Sequence, residues 1–377
     1  MTRRHASALF ALVALAGCSA GPPQPPPSTL SIGVSVPSQG PQATAGKAVE
    51  DAVGQVLNDE FQGRIEGMPV TVRVLNESSN DRRDPALAAG NLARLVADPT
   101  FLGVVGPLNS DVAESEIPIA SAAHLALLSP AASNECLTKA LAGCLLPPTE
   151  LRQGRPNDFF RVVPTSDLEP AALVDYATRI LHVTHFAVAS DGQAYGKTLR
   201  AEFEAALKVA GFATVATADL DPTNVAVVDA FLAEAKSGGA DAVFFGGRGD
   251  GGGCLLQPRV LAKLGAGVLL LGGSGFEGAS CLRDAGANTT GLYSISAGAG
   301  SVGDRAKIAA RALLLAIKAA VKAAGGNLPA REDVRLALSH NAFPPFDANG
   351  DTRDRVFTIL KAQAQPPAWA AGDEVRV

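Results

Sequence analysis

The chain has 377 residues, enough for two domains that each bury a hydrophobic core. Hydrophobic residues make up 47% of it, aromatic residues only 5%, and 39 positions are glycine, which is typical of an α/β protein rich in small aliphatic residues. The net charge is −5, and loss of two arginines, Arg3 and Arg4, would make it −7. A negative surface repels the phosphates through which nucleic acids are mainly bound, so nucleic-acid binding is not expected.

The first residues predict export. Two arginines and a histidine at residues 3–5 precede an apolar run at residues 6–16, which is too short to span a bilayer and typical of a secretory signal. The run ends in Leu-Ala-Gly-Cys at residues 15–18, which resembles the bacterial lipobox, where the cysteine is diacylated and becomes the mature N-terminus. We predict a lipoprotein signal peptide over residues 1–17 and a lipidated Cys18. An ordinary signal peptide with an incidental cysteine is the alternative.

Residues 18–29 are rich in proline and predict a tether rather than a domain. Five of these positions are proline. Such a segment favours the extended polyproline conformation, with a rise of about 3.1 Å per residue. The folded body would therefore stand roughly 30 Å from its anchor.

From residue 30 onward, short apolar runs alternate with amphipathic segments. Strands are predicted at residues 32–36, 70–75, 101–106 and 125–129. The helix after the first strand has an apolar face at helical spacing, formed by Ala48, Val49, Ala52, Val53, Val56 and Leu57. Asp84 and Pro85 suit the N-cap and first position of the next helix. The alternation predicts a parallel sheet covered by helices on both faces.

The pattern restarts after Pro164. Strands are predicted at residues 185–190, 213–220, 242–246 and 268–271, with helices around residues 199–210 and 227–235. Two successive doubly wound units are therefore predicted rather than one long sheet. Ligands of such sheets bind beyond the carboxyl ends of the strands. The loops at those ends are residues 37–46, 107–110, 130–134, 191–196, 246–253 and 272–275.

The five cysteines agree with export. If Cys18 carries lipid, four remain, and an even set outside the cytosol predicts disulfides with three possible connectivities. Cys136 and Cys144 are eight positions apart, and Cys254 and Cys281 are 27 apart. We expect these two local pairs, because a bridge between the two sets could join lobes that must move. No metal site is expected, since the sequence has no CxxC motif.

Motifs for catalysis are weak. The segment from Gly40 to Ala48 looks like a phosphate-binding loop, but Gly40 and Gly46 are one residue too far apart and Ala48 replaces the required Ser or Thr. The glycine-rich residues 246–253 lack the spacing of a dinucleotide site, and Gly-x-Ser-x-Gly is absent. We therefore expect a binding protein with no catalytic residues, no metal and no cofactor.

Seven segments, in order along the chain, carry a resemblance to a known family. They are SQGP at residues 38–41 leading to Gly46, VGPLNS at 105–110, LSPAAS at 128–133, FRVVPTSD at 160–167, AYGK at 194–197, DAVFFGG at 241–247 and FDANGD at 346–351. Together they resemble the Leu/Ile/Val-binding family of type I periplasmic binding proteins, the receptors of branched-chain amino-acid-type ABC importers. The resemblance covers about residues 31–360.

The resemblance implies an α/β fold of two doubly wound parallel-sheet lobes joined by a hinge, in a clamshell arrangement. It places residues 30–164 and 298–345 in lobe 1, and residues 165–297 and 346–377 in lobe 2. The helix at residues 306–323 would then pack on the first lobe.

The resemblance also implies ligand-binding residues. Ser110 matches a family serine whose hydroxyl binds the ligand's carboxylate, and Ala131, Ala132 and Ser133 match the next loop, whose backbone groups and hydroxyl complete that clamp. Tyr195 matches an aromatic residue of the second lobe that closes over the ligand. The alternatives are that the two serines only cap their loops and that Tyr195 is a core residue.

Three positions depart from the family's amino-acid binders. Ala45 replaces an aromatic residue, Arg248 replaces a tyrosine, and Ser274 replaces the acid that pairs with the ligand's ammonium. A hydroxyl does not replace such a partner, because charge-assisted hydrogen bonds are roughly twice as strong as neutral ones. We therefore expect a ligand other than leucine, isoleucine or valine. Arg248 would pair with a second anionic group of a carboxylate-bearing metabolite; the alternative is that it is solvated or paired with Asp250.

The function implied is that of a substrate-binding lipoprotein of an ABC importer, exported and lipid-anchored to the cell envelope. Its expected partners are a small-molecule ligand, the permease membrane subunits and, through the anchor, the membrane; a monomer is expected. One alternative is a docking module like the outer-membrane activators of peptidoglycan synthases, and Ser19 after Cys18 is compatible with outer-membrane sorting. A ligand sensor that feeds a signalling partner is the other alternative.

Overall fold

The computed structural model describes residues 29–141, 144, 146–341 and 345–377. The predicted signal peptide, Cys18 and all but the last tether residue lie outside this part of the chain. In chain order the strands are β1 (Leu30–Val36), β2 (Arg64–Ile65), β3 (Met68–Asn76), β4 (Ser78–Ser79), β5 (Arg82–Arg83), β6 (Phe101–Val105), β7 (Ala126–Ser129), β8 (Phe159–Arg161), β9 (Phe186–Ser190), β10 (Thr214–Asp219), β11 (Ala242–Gly246), β12 (Leu269–Gly272), β13 (Leu292–Ala297), β14 (Val356–Ala364) and β15 (Pro367–Arg376).

Helices connect most of these strands. They are α1 (Ala43–Phe61), α2 (Pro85–Leu95), α3 (Ser110–Ala123), α4 (Pro148–Leu151), α5 (Glu169–Arg179), α6 (Ala194–Ala210), α7 (Val225–Ser237), α8 (Leu256–Lys263), α9 (Ala279–Ala285), α10 (Val302–Ala323) and α11 (Arg331–Asn341). The start of α2 follows the sequence, since the Asp84 carboxylate accepts a hydrogen bond from the Leu87 N–H at 2.9 Å and Pro85 is the first helical residue.

The strands form two large sheets. The first has the order β2-β3-β1-β6-β7-β8, and the second has the order β10-β9-β11-β12-β13-β14-β15. All the strand pairs from β1 to β8 in the first sheet are parallel except β2 with β3. Every predicted strand is present with ends within two residues of the expected ones. The prediction of an α/β protein with two doubly wound sheets is confirmed.

The end of the second sheet differs from a purely parallel arrangement. Strand β14 runs antiparallel to β13, and β15 runs antiparallel to β14. Only Gln365 and Pro366 connect β14 to β15, and a connection of two residues can join only antiparallel strands. The sheet is therefore mixed at this edge.

The chain crosses between the two sheets three times: between β8 and β9, between β13 and α10, and between α11 and β14. Helix α10 packs on α1, and its buried Leu313 and Ile317 belong to the same core as Val53 of α1 and Val34 of β1. Each sheet therefore has its own core, and the segment after the second crossing completes the core of the first lobe.

Both expected disulfides are present. Cys136 is bonded to Cys144 and Cys254 to Cys281, with Cα–Cα distances of 5.4 and 5.0 Å. Each bridge stays within one lobe. Within the described part of the chain, no helix has both the length and the apolar character needed to cross a membrane. The same residues contain no group of three or more His, Cys, Asp or Glu placed to hold a metal ion.

Candidate functional site

The structure brings the loops after β6 and β7 together. Ser110 is the first residue of α3, and its hydroxyl accepts a hydrogen bond from the Asn134 N–H at 3.3 Å. Because Asn134 follows Ser133 directly, the two predicted clamp loops form one surface. We call residues 107–110 and 130–135 the first rim.

Ser129, at the end of β7, fixes the shape of the first rim. Its buried hydroxyl donates to the Pro107 carbonyl at 2.6 Å and accepts from the N–H groups of Ala131 and Ala132 at 3.2 and 2.8 Å. The two amides that the resemblance offers to a ligand therefore bind Ser129 in this structure. The resemblance included Ser129 in its motif but assigned it no role.

A buried arginine supports the same loop through hydrogen bonds to the loop backbone. Arg161 is fully buried, and its Nε donates to Asp351 Oδ1 at 2.6 Å. Its Nη1 donates to the carbonyls of Ala132 and Asn134 at 3.1 and 2.6 Å, and its Nη2 contacts the Thr138 hydroxyl. An ion pair between residues 190 positions apart thus positions the first rim.

The second set of predicted residues also comes together. The Arg248 guanidinium lies 5.3 Å from the centre of the Tyr195 ring, a cation–π contact. Burial raises the pKa of the Tyr195 hydroxyl, and the nearby Ser274 side chain and Gly275 backbone oppose this rise. We call residues 191–196, 246–253 and 272–277 the second rim. The contact with Tyr195 is a partner for Arg248 that the sequence did not suggest.

Glycine makes this approach possible at Gly196. A Cβ atom there would lie 2.4 Å from the Gly246 carbonyl oxygen and 2.1 Å from Asp191 Oδ1. Helix α6 can therefore begin against the end of β11 only with glycine at this position, which explains why it starts at Ala194, earlier than the predicted residue 199.

Glu169, the first residue of α5, lies behind the second rim and is fully buried. Its Oε2 accepts a hydrogen bond from the Ser274 N–H at 3.0 Å, while Oε1 has no hydrogen-bond partner among the described residues. Burial raises the pKa of Glu169 to about 8, and the carboxylates of Glu277 and Glu135 add to this effect. Position 274 thus lacks an acid, but a carboxyl group from another element lies beside it.

Arg305, near the start of α10, contacts both the first rim and strand β13 at the second crossing. Its Nε donates to the Pro130 carbonyl at 3.1 Å, and its Nη1 donates to the Ser296 hydroxyl of β13 at 3.3 Å. Burial lowers the pKa of Arg305, and Glu277 opposes this. Burial raises the pKa of Glu277 to about 7, and Arg305 opposes that rise. The opposite charges of Arg305 and Glu277 therefore partly offset the effect of burial on each other.

The segment that follows the first crossing also contacts the first rim. The Ser166 hydroxyl donates to the Ser133 carbonyl at 3.1 Å and to Glu135 Oε2 at 2.6 Å. Lys139 forms a salt bridge of 2.8 Å with Asp167 in the same region. Ser166 at the first crossing and Arg305 at the second thus both hold the first rim by direct hydrogen bonds.

Two surface cavities lie away from this junction. One of about 420 Å³ lies between α1 and β3, with Val72 and Val74 as its floor and Glu50, Asp51 and Asp59 among its lining. A smaller one of about 130 Å³ lies where β1 ends and α1 begins, next to Pro37 and Gly46.

Sequence reasoning assigned no role to Arg161, Glu169, Glu277 or Arg305. Arg161 lay in a family motif, but its partner Asp351 is distant in sequence. Glu169 precedes Pro170, a pattern of helix N-termini that favours a solvated acid at a positive helix end. No local signal in the sequence indicates that Glu169 is buried beside Ser274.

Comparison with known proteins agrees with the two-lobed α/β fold. Residues 29–328 match the profile of the family described as "Periplasmic binding protein". The chain is 28% identical over 288 residues to a protein of Brucella melitensis described as Leu/Ile/Val-binding protein homolog 3, covering 75% of this chain and 72% of that protein.

Solved structures show the same fold. A branched-chain amino acid transporter substrate-binding protein from Streptococcus pneumoniae, in complex with isoleucine, superimposes with a TM-score of 0.64 at 18% identity, covering 91% of this chain and 100% of that one. An ABC transporter solute-binding protein from R. palustris, in complex with benzoate, gives a TM-score of 0.62 at 16% identity, with 93% and 97% covered.

Proposed function

We propose a function from one premise: this chain belongs to the periplasmic binding protein family. Members of this family are exported substrate-binding proteins of ABC transporters and are not enzymes, which confirms the expectation of a binding protein. The proposed function is that of the substrate-binding lipoprotein of an importer of the branched-chain amino-acid type. Its ligand would be a small polar metabolite held between the two rims.

Polar side chains at the carboxyl ends of both sheets support this proposal. Ser110 and Ser133 lie on the first rim, and Tyr195, Arg248 and Ser274 lie on the second. Doubly wound sheets bind their ligands at these ends. The presence of polar side chains at the carboxyl ends of the strands in both lobes is the single observation on which the proposed function rests.

A carboxylate is the ligand group that the first rim suits best. Hydroxyl groups such as those of Ser110 and Ser133 donate hydrogen bonds that a carboxylate accepts. The two solved relatives named above contain isoleucine and benzoate, which both carry a carboxylate. An amino acid or another carboxylate-bearing compound is therefore the proposed ligand.

The proposed mechanism is closure of the lobes on this ligand. A ligand that contacts both rims binds the closed arrangement more tightly than the open one, and so shifts the population toward it. The permease subunits of the importer would recognise the closed arrangement. No covalent step enters this mechanism.

A thermal-shift screen of amino acids, amides and small carboxylates tests the proposal. One ligand at 100 times its Kd should stabilise the protein by about 2.7 kcal/mol, a shift that is easily measured. The double variant Ser110→Ala/Ser133→Ala should lose most of that shift. If every compound leaves the melting temperature unchanged, a docking module becomes the better account.

The lipid anchor is a separate part of the proposal. Cys18 follows the predicted signal peptide, and its acylation would keep the protein at the membrane. Metabolic labelling with palmitate should mark the wild type and not Cys18→Ser. An unlabelled wild type would contradict a lipoprotein, and labelling of both proteins would contradict Cys18 as the acylated residue. Either result leaves the binding proposal intact.

A further inference from the structure

Strand β3 has an open edge in the sheet of the first lobe. On one side it pairs with β1 over residues 70–76, whereas on the other side β2 pairs only with Met68 and Pro69. Within the described part of the chain, no other strand pairs with β3. Such an edge offers unpaired backbone N–H and C=O groups to another extended segment.

Two hydrogen bonds show which backbone groups face the open edge. The Val70 N–H donates to the Gly63 carbonyl, just before β2, and the N–H of Glu77, the residue after β3, donates to the carbonyl of the last residue of β1. Successive backbone groups along a strand point in opposite directions. The even-numbered residues of β3 therefore present their N–H groups to the open edge, and Val72 and Val74 are two of them.

An apolar strip lies beside this edge. Val72 and Val74 form the floor of the cavity of about 420 Å³ between β3 and α1, and Val74 is 42% exposed. Val72 packs against the core on the α1 side of the sheet, and Val74 points to the same side because side chains alternate along a strand. A segment that pairs with β3 would therefore place its own alternate side chains beside this floor.

The wall of the same cavity is acidic. Glu50, Asp51 and Asp59 of α1 are among its lining residues, which include no lysine or arginine. Lys47 contacts Glu50 and Asp51, so it offsets only part of the charge at that end. Asp59 lies about 12–14 Å along the helix from the other two carboxylates. An extended segment covers about 13 Å in four residues, so its side chains at positions i and i+4 match the two ends of the wall.

Gly54 leaves the middle of the wall open. It lies inside the 19-residue helix α1, and among the described residues no atom outside its own stretch of helix lies within 4 Å of the place that a Cβ atom would take. Glycine destabilises a helix interior relative to alanine. Packing within the protein does not require glycine at this position, and the space beside it is free for a side chain of another molecule.

We propose that this groove is a docking site for an extended basic segment of another protein. The segment adds to the edge of β3 and carries two lysine or arginine residues four positions apart, with an apolar residue midway between them. The basic side chains pair with the carboxylates at the two ends of the wall, and the apolar side chain covers the valine floor beside Gly54. The groove shares no residue with the two rims, so the proposal goes beyond ligand binding.

Charge selects this occupant over two others. In a second copy of the chain paired through β3, the acidic walls of the two copies would face and repel each other. The chain's own residues 18–28 contain no lysine or arginine. They also contain five prolines, which lack the N–H groups that edge pairing uses.

A synthetic peptide tests the proposal on the intact protein. The probe is fluorescein-TKTVTKT-amide, whose two lysines and valine share one face of an extended strand, and the matched control is fluorescein-TETVTET-amide. Fluorescence anisotropy should show saturable binding at one site, at least about tenfold tighter for the lysine peptide at low salt. The difference should shrink at about 1 M salt, because exposed charges are then screened.

Two N-methylated forms of the lysine peptide separate strand pairing from simple charge attraction. One form carries methyl groups on the amides of the lysines and the valine, and the other on the amides of the two central threonines. Since only one edge of the peptide faces β3, one form should lose binding and the other should keep it. The same result for both forms would overturn addition to β3.

Variants assign the binding to this groove. Gly54→Leu should abolish it by filling the middle of the wall, and it should not lower the melting temperature, because leucine favours a helix more than glycine does. Gly90→Leu is the matched control, since Gly90 lies inside α2 with the same free space around its Cβ position. The double variant Glu50→Gln/Asp59→Asn should weaken the lysine peptide about tenfold.

The remaining outcomes are separate from the test of ligand binding at the rims. Equal affinity for the lysine and glutamate peptides, no saturation at about 1 mM peptide, or unchanged binding in Gly54→Leu would overturn the proposal. Sedimentation equilibrium examines the other occupant. A wild-type dimer that Gly54→Leu dissociates would assign the groove to a second copy of the chain and overturn a separate partner.

Discussion

The two rims differ in how their polar groups are satisfied. In the first rim, Ser129 and Arg161 bind the backbone of the loop from below, and every one of these contacts is internal to the protein. In the second rim, the described residues give Arg248 the Tyr195 ring as a partner and leave one buried oxygen of Glu169 without a hydrogen bond. The first rim is therefore pre-organised by internal hydrogen bonds, whereas the second rim contains polar groups that these residues do not fully satisfy.

The largest expected effect concerns the support of the first rim. Arg161→Met should lower the free energy of unfolding by about 3–5 kcal/mol, because it leaves Asp351 charged and buried without its partner. Urea unfolding measures this. The control is Arg376→Met, whose ion pair with Asp354 is exposed and should be worth less than about 1 kcal/mol. Equal effects of the two substitutions would contradict the pre-organised rim.

The disulfides allow a second comparison of the two lobes. Cys254–Cys281 closes a loop of 27 residues beside the second rim, and Cys136–Cys144 closes one of eight beside the first. Chain entropy predicts losses of about 3.5 and about 2.5 kcal/mol when each pair is replaced by alanine. Thermal unfolding of the two double variants should show the larger loss for the longer loop. The reverse order would mean that strain or residual structure dominates.

A pair of buried carboxyl groups beneath the first rim should make stability depend on pH. Glu77 accepts from the Leu108 N–H at 3.3 Å, and Glu116 accepts from the Ser35 hydroxyl at 2.8 Å. Burial raises the pKa of Glu77 to about 8, with a contribution from Glu116, whose own pKa burial raises to about 7. Because the folded state holds protons that the unfolded state releases near pH 4.5, stability is greatest below that pH and falls as pH rises through 7 to 8.

Urea unfolding at pH 5 and pH 8 checks this, with an expected loss of about 2–4 kcal/mol at the higher pH. Glu77→Gln should reduce that difference. The exposed Glu114 lies on the same helix as Glu116, so Glu114→Gln should leave it unchanged. A difference that is the same in Glu77→Gln would show that these two groups do not control the pH dependence.

The smallest effect concerns Arg248. Its contact with Tyr195 should contribute only about 0.5–1 kcal/mol to stability, the range of an exposed cation–π pair. If Arg248 also pairs with a second anionic group, Arg248→Met should weaken L-glutamate about fivefold more than L-leucine. This corresponds to about 1 kcal/mol, the upper end of the range for a solvent-exposed ion pair. An equal change for both amino acids would assign Arg248 to the tyrosine alone.

The sequence predicted the parts of the fold that depend on neighbours in the chain. The start of α2 followed from Asp84 and Pro85, and the apolar face of α1 followed from its spacing. Both disulfides joined cysteines that are close in sequence. The terminal hairpin of β14 and β15 was not predicted, because its pairing with β13 depends on where the chain returns after the third crossing.

The sequence indicated candidate site residues only where they lie in a loop that follows a strand. Ser110, Ser133, Tyr195 and Arg248 follow strands directly, so the strand pattern and the family motifs located them. Glu169 and Arg161 act on loops that are distant in sequence, through contacts spanning 105 and 190 positions. Such contacts arise from tertiary packing of distant segments, which no local pattern encodes.

The most direct test of the account is whether one ligand uses both rims. Titration calorimetry with the amino acid that gives the largest thermal shift should be run on the wild type, Ser110→Ala of the first rim and Tyr195→Ala of the second. We expect one site per chain in the wild type and a weaker Kd in both variants, with the folded state retained. An unchanged Kd in either variant would contradict a ligand held between the two lobes.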